Sequence, residues 1–119
     1  MSHNKAVELV SRLHGSTKAD RVDWRPTTRN DEFEVSFPRY SIRVRQKRRR
    51  GEEFDYFITI LNEEGVMVEE FSDLDLAQEE FEESSAFQLM SEIHEMARRK
   101  AMGADQAIDA LLKELLTSA

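Results

Sequence analysis

The chain has no cysteine. That excludes disulfides, thiol nucleophiles and every thiolate metal site, and it fits a reducing, cytoplasmic setting. Glycine is scarce, with four residues scattered at 15, 51, 65 and 103, so there is no glycine-rich loop to cradle a phosphate. The two prolines and the lack of any Pro/Gly/Ser-rich stretch leave no linker, which makes residues 1–119 one domain. No apolar run approaches the roughly 20 residues that span a bilayer. No apolar segment of signal-peptide type follows Met1–Lys5 either, so neither a secretory leader nor a membrane partner is expected. No serine sits in a Gly-x-Ser-x-Gly elbow. His94-Glu95 begins like a zinc-protease helix, but the second histidine that motif needs is Arg98 here. The remaining histidines, His3 and His14, are isolated. The expectation is a protein with no cofactor, no metal and no catalytic residue, not an enzyme.

Basic residues are missing from a long stretch. Between Arg50 and Arg98 there is no lysine or arginine. Residues 1–51 carry 13 Lys/Arg and 6 Asp/Glu, and residues 52–119 carry 4 and 18. The net charge of −7 therefore conceals a strongly divided chain.

What is present is patterned. Ala6, Val7, Leu9, Val10 and Leu13 recur at helical spacing, with Asn4 placed to cap and Gly15 placed to terminate, which predicts a helix over 5–14. Val22 and Trp24 alternate with charged residues before Pro26, as in a short edge strand. Phe33, Val35 and Phe37, then Tyr40, Ile42 and Val44, have the period of half-buried strands. Phe54–Leu61 is rich in aromatic and β-branched residues on both faces, as a central strand would be. Asn62–Gly65 is a turn signature, with Val66, Val68 and Phe71 in the strand beyond it. Residues 72–84 read as an acidic loop anchored by Leu74, Leu76 and Phe81. Ser85 and Gln88 have capping-box spacing ahead of the stripe Ala86, Leu89, Met90, Ile93, Met96, Ala97. Met102–Asp105 breaks that helix, with Gly103 to end it and Asp105 to cap the next. Ala107, Ile108, Leu111, Leu112, Leu115 and Leu116 form a second stripe. The fold class is α+β: an antiparallel meander of three to five strands, one N-terminal helix, and two C-terminal helices paired as an αα unit.

Two clusters stand out as candidate binding residues. Arg39, Arg43, Arg45, Lys47, Arg48, Arg49 and Arg50 are seven cations without an intervening acid. At a hairpin tip they could contact phosphates, with Tyr40, Phe54 and Tyr56 nearby for stacking. The structural alternative, which is preferred, sets Arg43 and Arg45 across from the acidic strand Glu52-Glu53-Asp55 as cross-strand pairs. The second cluster, Glu79, Glu80, Glu82 and Glu83, is the densest part of a tract of 13 carboxylates between Glu52 and Glu83. It is either a docking face for a basic partner or a solvated surface, and charge runs are usually the latter. The C-terminal helix brings too many acids to serve as a DNA-recognition helix. His94 falls between stripe positions and is expected beside the core face. The Leu and Met stripes are expected mainly in the core, with a dimer seam or partner groove as the alternative.

The runs Tyr56–Gly65, Phe71–Leu76 and Met96–Asp105, followed by the leucine-rich helix, resemble small bacterial proteins of unknown function that carry a strand meander and a two-helix tail. The resemblance covers roughly residues 40–116. It implies a bacterial cytoplasmic α+β protein and transfers no active site. The functional expectation is a non-catalytic protein-binding or adaptor module, including binding to a second copy, with nucleic-acid binding by the 39–50 hairpin as the runner-up.

Overall fold

The computed structural model describes residues 4–118; His3 lies outside them. Its elements run α1 (Asn4–Lys18), β1 (Arg25–Pro26), β2 (Glu32–Ser36), β3 (Ser41–Arg48), β4 (Phe54–Leu61), β5 (Met67–Ser72), α2 (Ala86–Ala101) and α3 (Ala104–Thr117). The five strands form one antiparallel meander in sequence order, β1-β2-β3-β4-β5. This is the α+β class that the alternation of the strand segments predicts.

The register follows from the alternation. Phe33 lies opposite Val44, Val44 opposite Ile58, and Ile58 opposite Phe71, so one side of the sheet is apolar across four strands. Helix α2 lies across that side and touches β1 to β4, with Met90, Ile93 and Ala97 fully buried in the seam. Helix α1 packs on α2 and contributes Val10 and Leu13 to the same core. Ser85 caps α2 as its spacing predicts: the Ser85 hydroxyl accepts the Gln88 N–H at 3.1 Å. In the turn before β5, the Asn62 side chain accepts the N–H groups of Glu64 and Val66, and Gly65 takes φ +77°, which the absence of a Cβ allows.

Four expectations need correction. Helix α1 does not stop at Gly15 but runs to Lys18, because Thr17 is buried and its hydroxyl accepts the Trp24 indole N–H at 3.1 Å. That tertiary contact outweighs the roughly 1 kcal/mol helix cost of an internal glycine. The left-handed residue that ends the run is Asp20, at φ 58°. The edge strand is not Val22–Trp24 but Arg25–Pro26; Trp24 turns inward and is 1% exposed. His94 is not beside the core but within it, its ring 5.4 Å from that of Phe33 and 5.7 Å from that of Tyr56. Its Nε2 meets the Asp31 carbonyl at 2.9 Å, and that bond makes an inward histidine tolerable.

The last correction concerns the tail. Gly103, at φ +64°, caps α3, while Asp105 sits in the first turn and pairs with Arg99. The left-handed glycine turns the chain away, and α3 does not fold back along α2. None of its residues is buried, and its contacts are with α2 alone, at the junction. The molecule is accordingly long, 60 × 34 × 29 Å. Its radius of gyration of 16.1 Å compares with about 13.5 Å for a compact domain of this length.

Candidate functional site

The sheet side away from α2 carries Arg43, Arg45 and Lys47 of β3. Cross-strand pairing aligns Arg25 with Glu34, Glu34 with Arg43, and Glu32 with Arg45. Arg43 reaches Glu34 at 3.2 Å and Glu32 at 3.9 Å. Its carboxylate partners therefore come from β2. They are not the Glu52–Asp55 strand, because the β3–β4 register sets Arg43 against Thr59. Arg45 lies over the Phe57 ring, 5.0 Å from its centroid, a cation–π contact. Arg39 pairs with Glu63 at 3.6 Å. Arg49 bends back to Asp55 at 2.9 Å and to Glu53 at 3.2 Å. Arg48 donates to the Gly51 carbonyl. Among the described residues, Arg45, Lys47, Arg48 and Arg50 have no carboxylate partner. With Arg45 held over Phe57, the cations left without an acid at the hairpin tip are Lys47, Arg48 and Arg50.

Asp55 and Asp73 form a buried acidic pair beneath that tip. Asp73 Oδ1 accepts the Tyr56 N–H at 2.7 Å, while the Asp73 N–H donates to the Tyr56 carbonyl, so its carboxylate extends the β4–β5 ladder one step beyond Ser72. Burial pushes the Asp73 carboxyl above its usual range; the Tyr56 N–H works against that shift, and the nearby Asp55 charge adds to it. Asp55 Oδ1 is in ionic contact with the Arg49 guanidinium but has no aligned hydrogen bond. A carboxyl whose folded pKa lies above its unfolded value keeps its proton longer in the fold, so stability falls as pH rises through that window. Asp73→Asn keeps an acceptor for Tyr56 and removes the charge. It is expected to stabilise the protein at pH 7 in urea unfolding, whereas Asp73→Ala, which orphans the Tyr56 N–H, costs about 1–3 kcal/mol.

The acidic cluster lies in the turns before α2. Glu79 is half-buried, and Glu80, Glu82 and Glu83 are exposed, with Glu83 at φ 54°. None of the four makes an ion pair among the described residues. The fold does not bring them to the basic hairpin tip as partners. Among the described residues, no group of three or more His, Asp or Glu side chains is placed to hold a metal ion. None of their helices is long and apolar enough to cross a membrane.

Two further features lie away from the basic and acidic clusters. One is an open cleft of about 480 Å³ lined by the ends of α1 and α2 and the base of α3, and floored by Val22, Trp24 and Met96. Ion pairs Lys100–Asp20 and Arg99–Asp105 lie along its rim. Its walls come from segments about 80 residues apart, so no local pattern marks it. The other is the outer face of α3. Ile108, Leu111, Leu112, Leu115 and Leu116 are 48%, 56%, 57%, 66% and 81% exposed. The stripe was visible in the sequence, but its spacing alone favoured a place in the core, and the structure puts it in solvent. Five aliphatic side chains on one 14-residue helix form a contiguous apolar surface of a size that marks interaction sites. No protein-family model, curated protein or solved structure matches this chain.

Proposed function

We propose that this protein is a non-catalytic binding module that presents α3 as a docking helix to a protein partner. The single observation behind this reading is the apolar stripe of α3: five large aliphatic residues, none buried, on a helix that touches the rest of the molecule only at its base. A surface helix normally buries such a stripe against its own domain. An amphipathic helix whose apolar face is free matches the way helical segments enter hydrophobic grooves, with anchors at i, i+3, i+4 and i+7. Ile108, Leu111, Leu112 and Leu115 have that spacing.

The reading makes a definite stability prediction. Leu111→Glu with Leu115→Glu should leave the urea midpoint of the isolated chain within about 0.5 kcal/mol of wild type, as for substitutions at free surface positions. A loss of about 2 kcal/mol or more would place the stripe in the core and sink the reading.

Nucleic-acid binding through the 39–50 hairpin ranks second. Lys47, Arg48 and Arg50 are its support. Three phosphate contacts would give a salt slope of only about −2 to −3, against a protein field that is negative overall.

A further inference from the structure

The α3 face has a pattern that selects its occupant. Positions 104, 108, 111 and 115 alternate by four, three and four residues, the spacing of the two seam positions of a heptad. They are Ala104, Ile108, Leu111 and Leu115. Run antiparallel to a second copy of itself, the seam closes in layers. Ala104 of one copy meets Leu115 of the other, and Ile108 meets Leu111, each layer repeated by the two-fold axis. A small residue faces a large one, and two large ones share the middle. The flanking acids do not collide: Asp105 falls beside Leu112 of the other copy, and Glu114 beside Ala107.

Size agrees with a weak pairing. The exposed aliphatic surface of Ile108, Leu111, Leu112 and Leu115 is on the order of 400 Å² per copy, so a pair covers about 800 Å², the low end for a transient contact. Paired helix axes lie about 8–10 Å apart. The body sits at the N-terminal base of α3, so an antiparallel pair places the two bodies at opposite ends of a helix about 21 Å long.

We infer that the partner of α3 is a second copy of this chain, joined through an antiparallel α3–α3 seam. This inference rests on the docking reading above. A small interface of this kind is that of a weak, transient pair, and dissociation is expected in the micromolar range.

Sedimentation of the full chain from about 1 to 200 µM tests it. A concentration-dependent monomer–dimer equilibrium is expected, and Leu111→Glu should weaken it at least about 100-fold. The orientation has its own readout, because the chain has no native cysteine to interfere. Ile108→Cys mixed with Leu111→Cys should form a disulfide-linked pair under mild oxidation, while either variant alone should link poorly. A chain that stays monomeric at 200 µM overturns the inference. So does a dimer that survives Leu111→Glu, or one in which Ile108→Cys alone links efficiently. In the monomeric case the urea midpoint separates the two ideas. If Leu111→Glu leaves it unchanged, docking of α3 to another protein stands. If the variant loses about 2 kcal/mol or more, the stripe is core and both fall.

Discussion

Trp24→Ala is expected to destabilise the protein by about 3–5 kcal/mol, the usual cost of emptying a buried tryptophan site. That is a large share of the roughly 5–15 kcal/mol available to a domain. Three consequences of one side chain add up here. Trp24 is 1% exposed and belongs to the core cluster. Its Nε1–H donates to the Thr17 hydroxyl at 3.1 Å, and Thr17 is itself buried, so the variant leaves a hydroxyl without its donor. It also floors the helix-junction cleft, and its removal deepens that cleft instead of letting the walls close. Trp24→Phe keeps most of the apolar volume and loses the hydrogen bond, so it should cost about 1–2 kcal/mol. Urea unfolding followed by far-UV circular dichroism measures both. An alanine cost below 1 kcal/mol would mean that α1 and its following loop are not anchored as described. Because this is the one tryptophan, the wild-type emission should be blue-shifted and should move red in a single step on unfolding.

The second large effect is at His94. The Asp31 carbonyl can only accept, so the ring must carry its proton on Nε2 and remain neutral to pack against Phe33 and Tyr56. Burial holds the imidazole below its usual pKa of 6.5; the Asp31 carbonyl and the Glu95 and Asp31 charges oppose that shift, and Arg98 adds to it. The sign follows directly. Below the unfolded value the unfolded chain binds a proton that the folded chain refuses. Stability is therefore fully present above about pH 6.5 and is lost as pH falls toward the folded value, with a slope of at most about 1.4 kcal/mol per pH unit. His94→Ala should cost about 2–4 kcal/mol at pH 7.5, from the cavity and from the carbonyl left without its donor. His94→Gln should remove this histidine's share of the stability loss between pH 7 and 5. Urea midpoints across that range decide the matter: a glutamine variant that loses stability as steeply as wild type would show that His94 does not titrate on unfolding.

The two substitutions also mark where local reasoning fails. Trp24 stands in an alternating segment that reads as a strand, yet the chain there is an inward turn fixed by Thr17 on a helix seven residues earlier. His94 lies off the apolar stripe of α2 by spacing, yet it is buried because Asp31, 63 residues away, supplies the one polar contact that satisfies it. The same holds for the arginines. The segment around Arg43 shows that it lies on a strand and points away from the core, but whether Glu34 or Asp55 neutralises it depends on a register set by both neighbouring strands.

The order of elements, the meander, the turn at Asn62–Gly65 and the cap at Ser85 were determined by the sequence alone, because each depends on residues within a few positions of one another. So was the apolar character of the last helix. Its placement was not. An amphipathic stripe states that a surface wants to be covered and says nothing of what covers it. The tertiary structure decided that α2 completes the core with α1 and the sheet, and that Gly103 turns α3 outward. Met90, Ile93 and Ala97 of α2 fill the sheet side, and the leucines of α3, which touches α2 only at the junction, face solvent.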